Sequence, residues 1–142
     1  MDLKKPVLEL RQKHILRGKY PVYIQIVFNT GNIVESRAGY YIMTLLDDYT
    51  LHFYALSRFM NRYQPDRDFS ISLKPFKNYA YNILGKHMKE VILINGNDFL
   101  PFRFFANVRS SFEGESNVAY LCKHFDNLGI KEIRKTGVED EK

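Results

Sequence analysis

The residues best suited to acid–base, thiol or metal chemistry are four histidines and one cysteine, scattered along the chain as His14, His52, His87, Cys122 and His124. No two of them have the spacing that ligands of a zinc site show. Cys122 and His124 are two residues apart in a predicted helix, so their side chains point in different directions. Cys122 falls on the apolar stripe of that helix, which is typical of a small buried residue. We therefore expect neither a metal nor a cofactor.

Carboxylate and amide side chains that could bind a divalent ion cluster at three places that already have the composition of turns: Asp47 with Asp48, Asp66 with Asp68, and Asn97 with Asp98. Asp and Asn favour turns because their side chains hydrogen-bond to the nearby backbone. The sequence contains no EF-hand loop, glycine-rich phosphate loop, Gly-x-Ser-x-Gly motif or His-Glu-x-x-His motif. An enzyme would have to rely on His52, Tyr54 and His87, so we predict that the protein is not an enzyme and has no catalytic residues.

Basic residues are unevenly distributed: the chain has a net charge of +5 at pH 7, and residues 1–19 carry +4 of it. Such segments attract the phosphates of nucleic acid or of an anionic lipid surface. The candidate anion-binding residues are Lys4, Lys5, Arg11, Lys13, Arg17, Lys19, Arg58, Arg62, Arg67, Lys74 and Lys77. Solvent-exposed charge explains the same residues without a ligand. Anion binding is therefore the alternative function and not the leading one.

The elements that must position these side chains are mainly strands. Alternating apolar residues predict strands over Tyr20–Phe28, Tyr40–Leu46, Thr50–Ser57, Phe69–Leu73, Val91–Ile94 and Phe99–Phe105. Pro75 bends or ends the fourth strand, and Phe76, Tyr79 and Tyr81 continue it beyond the bend. The polar stretch 58–68 predicts an exposed loop. Aromatic residues make up 15% of the chain, enough for a core, and no linker or repeat divides it, so we expect one domain.

One amphipathic helix is predicted after the last strand, over Ser116–Leu128. Its apolar stripe consists of Val118, Leu121, Cys122, Phe125 and Leu128. Ser116 is the predicted N-cap, and Gly129 and Ile130 predict a Schellman ending in which Ile130 packs on Phe125. Val7–Leu16 fits either a short helix, which Pro6 and Gly18 would bound, or a strand. We favour the helix.

The last predicted strand contains a proline, which cannot donate a hydrogen bond to a neighbouring strand. Pro101 therefore predicts that Phe99–Phe105 lies at a sheet edge or contains a bulge. An exposed edge can pair with another chain. Phe99, Pro101 and Arg103 are the candidate residues of an edge-strand interface with a protein partner or a second copy.

Several features predict a cytoplasmic protein. No apolar run approaches the roughly 20 residues of a membrane-spanning helix. No apolar segment follows Lys4 and Lys5, as it would in a signal peptide. The single cysteine cannot form an internal disulfide, so nothing marks an oxidising compartment.

The order of these elements, with the hairpin Tyr40–Tyr54 and the helix after the last strand, resembles the pleckstrin-homology-like superfold, particularly its bacterial and GRAM-type branches. The resemblance implies an α+β fold, in which a curved antiparallel sheet or partly open barrel is capped by the C-terminal helix and preceded by a short N-terminal helix. It divides the chain into a basic segment 1–19, a PH-like domain 20–130 and a charged tail 131–142.

The resemblance also bears on function. Lipid-binding members hold phosphoinositides with clustered Lys and Arg on the first strands and the loop that joins them. If Tyr20–Phe28 is the first strand, the following loop offers only Arg37 against Glu35; if Tyr40–Leu46 is the first, the turn carries Asp47 and Asp48. We therefore transfer no lipid site. Bacterial members are regarded as binding proteins or self-assembling, which implies a non-catalytic binding or adaptor domain. Abundant Lys, Asn, Ile, Tyr and Phe, which have AT-rich codons, indicate a low-GC bacterial source.

Overall fold

The computed structural model of the chain describes residues 16–27, 38–57, 62–86, 88–105 and 114–133. In these ranges the chain forms eight strands, a short 3₁₀ helix Pro65–Arg67 and one α-helix. The strands are β1 Lys19–Ile26, β2 Gly39–Asp47, β3 Thr50–Leu56, β4 Phe69–Ser72, β5 Asn78–Ile83, β6 Met88–Asn95, β7 Asp98–Phe105 and β8 Lys131–Glu132. The helix, α1, spans Gly114–Asn127.

All eight strands belong to one sheet with the order β4-β3-β2-β1-β7-β6-β5-β8 among the described residues. It consists of two antiparallel meanders, β1–β4 and β5–β7, which are joined by pairing of β1 with β7. The short β8 pairs in parallel with β5. The predicted α+β fold, with a mainly antiparallel sheet and a C-terminal helix, is confirmed.

The two tight hairpins follow from their turn residues. Asp48 and Tyr49 connect β2 to β3, and the Tyr49 N–H donates to the Asp47 carboxylate at 3.0 Å. Gly96 and Asn97 connect β6 to β7, and Gly96 has φ +63° while Asn97 stays outside the left-handed region. These signs match a type II′ turn, which needs glycine at its first central position.

The segment after Pro75 differs from the prediction. Residues 78–83 do not continue β4 but form β5, which lies in the other meander and pairs with β6. The change of partner follows a turn in which the Phe76 N–H donates to the Leu73 carbonyl at 3.1 Å. Phe76 and Tyr79 are nevertheless buried, as their apolar character requires.

The ends of α1 differ in how well local sequence signals specify them. The helix begins at Gly114, so Ser116 lies within it and the predicted N-cap is wrong. The C-terminal prediction is confirmed: Gly129 has φ +86°, its N–H donates to the Asp126 carbonyl, and the Ile130 N–H donates to the Phe125 carbonyl at 2.9 Å. This is the Schellman pattern. The predicted N-terminal helix Val7–Leu16 lies outside the described residues, apart from Leu16.

The main core lies between α1 and one face of the sheet, which we call the inner face. Alternate strand residues such as Ile24, Phe53 and Phe102 pack there, and α1 contributes Val118, Leu121 and Phe125. Hydrogen bonds at the rim hold the helix in place. The Tyr79 hydroxyl donates to Asp126 at 2.9 Å, and the Asn117 amide donates to the Pro21 carbonyl at 2.8 Å.

The edge position predicted for Phe99–Phe105 is wrong, because β7 lies between β6 and β1. Its register with β6 is continuous, so there is no bulge. The two-residue hairpin makes Asn95 and Asp98 a hydrogen-bonded pair, and alternation then turns the Pro101 nitrogen away from β6. Gln25 pairs with Arg103, and β1 ends at Ile26, one residue before the position opposite Pro101. The proline therefore costs no hydrogen bond inside the sheet.

Within the described ranges, no helix combines the length and apolar character needed to cross a lipid bilayer.

Candidate functional site

The candidate site is a cavity of about 240 Å³ on the face of the sheet opposite α1, which we call the outer face. The cavity is lined by Arg17, Leu46, His52, Tyr54, Tyr63 and Asp68. Next to it lies a small apolar cluster of the outer face, formed by Tyr23, Ile42, Tyr54 and Leu56. The cavity thus combines aromatic rings, a guanidinium, an imidazole and a carboxylate.

The strand β3 supplies two of the cavity residues through its alternation. Leu51, Phe53 and Ala55 enter the main core, so His52 and Tyr54 face outwards. The register places His52 opposite Ser70 of β4. The His52 Nδ1 and the Ser70 Oγ are 2.6 Å apart, and the rings of His52 and Tyr54 meet edge to face at 4.5 Å.

Residues 62–68 form a second wall because they return to the end of β3. The Gln64 N–H donates to the Ala55 carbonyl at 2.8 Å, and Tyr63 forms a bridge with Leu56. Asp68 fixes this segment from its other end. Its Oδ1 accepts the Ala55 N–H at 2.7 Å, and its Oδ2 accepts the Tyr63 hydroxyl. The predicted exposed loop is therefore an ordered wall in its described part, with Tyr63 and Asp68 half-buried.

The chain before β1 forms a third wall. The Arg17 N–H donates to the Tyr54 hydroxyl at 2.8 Å, across 37 residues of sequence. Gly18 permits this approach: its φ is +97°, and a Cβ atom there would lie 2.7 Å from the Leu45 carbonyl oxygen. Only glycine fits such a position without strain. The Arg17 guanidinium has no hydrogen-bond or ion-pair partner among the described residues.

Ser70, His52 and Asp68 follow one another in space, as the members of a hydrolytic triad do. The His52 Nε2 lies 3.8 Å from the Asp68 Oδ2, which is beyond hydrogen-bond distance. Both Asp68 oxygens already accept other donors, from Ala55 and Tyr63. Asp68 therefore fixes the wall of the cavity and does not orient the imidazole as a triad carboxylate would.

The tyrosines of the cavity are kept protonated. Burial raises the pKa of Tyr54, and the charge of Asp68 raises it further. Burial also raises the pKa of Tyr63, and its hydrogen bond to the Asp68 carboxylate adds to this effect. On the other side of the sheet, burial raises the pKa of the Cys122 thiol to about 12, with help from the charges of Glu132 and Asp126. These three groups are neutral at pH 7.

The predicted anion-binding residues do not form one patch in the described structure. Lys19 and Lys74 lie at the β2–β3 hairpin end of the sheet, as the pairing of Lys19 with Leu45 and the contact of Lys74 with the Tyr49 ring show. Arg62 and Arg67 lie at the opposite end, where the Arg67 guanidinium donates to the Ala38 carbonyl. Arg17 lines the cavity, and Lys77 leads into β5. Lys4, Lys5, Arg11, Lys13 and Arg58 lie outside the described residues.

The predicted interface residues Phe99, Pro101 and Arg103 lie in β7, away from the cavity. Phe99 is exposed, whereas Pro101 is buried. The Arg103 Nε donates to Glu90 at 3.2 Å, which pairs the charges of β7 and β6. Of the residues weighed for catalysis, His52 and Tyr54 lie together in the cavity, and His87 lies outside the described residues.

Sequence reasoning missed Tyr63, Asp68 and Arg17 as parts of one site. The local composition predicts that Asp68 is a turn residue. A signal for the site is its place directly before β4, whose Ser70 contacts His52. In the described ranges, no three His, Cys, Asp or Glu side chains lie close enough together to hold a metal ion.

A scan against protein-family models and searches of curated proteins and of solved structures gave no match for this chain.

Proposed function

We propose that the protein is a non-catalytic binding domain of the PH-like type, which engages a protein partner with its outer face. The strand order supports the fold part of the proposal. Two antiparallel meanders meet at β1 and β7, and the helix that follows β7 packs on the inner face. That arrangement leaves the outer face of β1–β3 available for binding.

The observation that carries the proposal is that Asp68, His52, Tyr54 and Tyr63 are all engaged with neighbouring groups, which leaves the Arg17 guanidinium as the group available to a partner. Asp68 accepts from Ala55 and Tyr63, His52 contacts Ser70, and Tyr54 bonds to the backbone of Arg17. A catalytic site instead directs a base or nucleophile at the place where substrate binds. A preformed network that fixes the shape of a cavity suits recognition.

The protonation states support the same conclusion. General bases and nucleophiles need accessible deprotonated forms at the working pH. The raised pKa values of Tyr54 and Tyr63 keep both hydroxyls of the cavity protonated, so at neutral pH neither is a general base or an anionic nucleophile.

The composition of the cavity favours a protein as the partner. Tyr and Arg are enriched where protein interfaces bind most strongly. The cavity has two tyrosines and the exposed Arg17, and Leu46 at its rim is 41% exposed. We give anion binding no place in the proposal, because the described basic residues are divided between the two ends of the sheet.

Site-specific photo-crosslinking tests the proposal. A photoreactive residue replaces Leu46 at the cavity rim or, as the matched control, the exposed Lys123 on α1, in the full-length protein in its native cells. We expect a discrete adduct from position 46 that is lost when Arg17→Ala is added, and none from position 123. Equal adducts from both positions would contradict the proposal. Turnover of a substrate that is abolished by His52→Ala would overturn the non-catalytic assignment.

A further inference from the structure

The end strand β4 presents a side to which no strand is paired in the described part of the chain. The Leu73 N–H donates to the Tyr49 carbonyl at 2.7 Å, which makes Leu73 and Tyr49 a hydrogen-bonded pair. Because such pairs alternate along antiparallel strands, the backbone groups of Phe69 and Ile71 also point towards β3. The N–H and C=O groups of Ser70 and Ser72 therefore point away from the sheet. We call this side of Phe69–Ser72 the β4 edge.

We propose that the β4 edge pairs with the β4 edge of a second copy of the chain, in an antiparallel, two-fold symmetric dimer. This proposal rests on the proposed function, because that function makes the chain a protein-binding domain. It adds that one partner is a second copy of the chain. The pairing would continue the sheet of one copy into the sheet of the other.

The spacing of the outward groups makes the β4 edge complementary to itself. With the two-fold axis at Ile71, Ser70 of each copy lies opposite Ser72 of the other. Both residues present their N–H and C=O outwards, so each of the two opposed pairs exchanges two hydrogen bonds. The same patch serves both copies, as a two-fold interface requires, so one contact occupies the β4 edge of both copies.

The charges beside the edge favour a second copy over a strongly acidic or basic strand. Residues 66–74 contain Asp66, Arg67, Asp68 and Lys74, which sum to zero in a chain whose net charge is +5. With the axis at Ile71, the turn residue Lys74, just beyond β4, comes near Asp68 of the other copy, which directly precedes β4. Opposite charges at facing positions stabilise a strand pair, and like charges destabilise it.

The flanking residues limit the interface to this short strand. Pro65 and Pro75 bound the segment, and the four-residue strand provides two outward positions. Proline and short length are devices that restrict pairing at sheet edges. The interface is consequently smaller than the standard size of stable complexes, so we expect a weak dimer that forms at high protein concentration.

The test compares Ser70→Pro with Ser70→Ala by sedimentation equilibrium of the full chain over a wide concentration range. Both variants lose the hydroxyl, but the proline alone loses the outward N–H. We expect Ser70→Ala to dimerise like the original protein and Ser70→Pro to raise the dimer dissociation constant at least about tenfold, because symmetry removes two hydrogen bonds. A monomeric original protein at the highest concentration, or equal dimerisation of the two variants, would overturn the proposal.

Two further measurements do not depend on the folding of the proline variant. Lys74→Glu places like charges near each other and should weaken the dimer, whereas Lys77→Glu makes the same charge change away from the edge and should not. Amide hydrogen exchange of the original protein should slow at Ser70 and Ser72 as concentration rises, with no change at Ile71. Equal effects of the two charge variants, or unchanged exchange at Ser70 and Ser72, would contradict edge pairing. These results are independent of crosslinking at Leu46, so either proposal can fail alone.

Discussion

The inner and outer faces of the sheet bury their side chains in different ways. The inner face packs a large apolar cluster against α1, and hydrogen bonds such as Tyr79 to Asp126 lie at its rim. The outer face has a small apolar cluster whose Tyr54 also lines the polar cavity. Apolar burial is the main source of folding free energy. The inner face therefore holds the fold together, and the outer face can carry a shaped polar surface for binding.

The largest expected effect comes from the inner face. Phe125 is completely buried between α1 and the sheet. Phe125→Ala should lower the free energy of unfolding by about 3–5 kcal/mol, because it removes apolar contacts and leaves a cavity. Urea denaturation measures this change. Lys123→Ala, on the exposed side of the same helix, serves as the control and should change stability by less than about 0.5 kcal/mol.

Two glycine substitutions compare the stability of the cavity wall, at Gly18, with that of the end of α1, at Gly129. Gly18 and Gly129 have φ values of +97° and +86°, but a Cβ at Gly18 meets the Leu45 carbonyl oxygen while one at Gly129 meets nothing within 4 Å. Gly129→Ala should cost about 1–2 kcal/mol from backbone strain alone. Gly18→Ala should cost about 2–5 kcal/mol and displace Arg17 from Tyr54. Thermal or urea unfolding gives both values, and equal losses would mean that residues 16–18 do not pack on β2 as described.

The two tyrosine–carboxylate pairs provide a third comparison. Asp68 is 16% exposed and loses its Tyr63 donor in Tyr63→Phe, which should cost about 1.5–3 kcal/mol as a hydrogen bond to a charged group. Asp126 is exposed, so water replaces the donor lost in Tyr79→Phe and the cost should be about 0.5–1.5 kcal/mol. Chemical denaturation of the two variants measures the difference. A larger loss for Tyr79→Phe would show that Asp68 does not anchor the cavity wall.

The smallest expected effect concerns alkaline pH. Burial raises the pKa of Cys122 from 9.0 to about 12, so the unfolded thiol ionises before the folded one. The folded state then holds more protons, and its stability is retained below pH 9.0 and lost as the pH rises towards about 12. Between neutral and alkaline pH, the free energy of unfolding should fall less for Cys122→Ala than for the original protein. An identical decline would exclude this residue as a contributor.

Local patterns in the sequence predict the inner face well. Leu51, Phe53 and Ala55 alternate and are buried, and Gly129 with Ile130 ends the helix as its residues indicate, because these signals involve neighbours along the chain. The predicted edge at Pro101 failed because a proline's cost depends on whether a strand lies opposite its nitrogen. β1 ends one residue before that position and is distant in sequence.

The cavity was beyond prediction for a similar reason. Arg17 meets Tyr54 across 37 residues, and Asp68 meets Ala55 across 13 residues, so no short motif brings them together. The composition of residues 62–68 predicts an exposed polar loop. Nothing in it indicates that the side chains of Tyr63 and Asp68 are half-buried in the wall of the cavity. Both contacts depend on tertiary structure.

Hydrogen exchange of the chain, alone and bound to the partner recovered by crosslinking, tests most directly that the outer face is the binding face. We expect binding to slow exchange at residues 62–68 and in β3, and to leave α1 unchanged. Protection that develops on α1 while the cavity residues exchange as before would contradict the assignment of binding to the outer face.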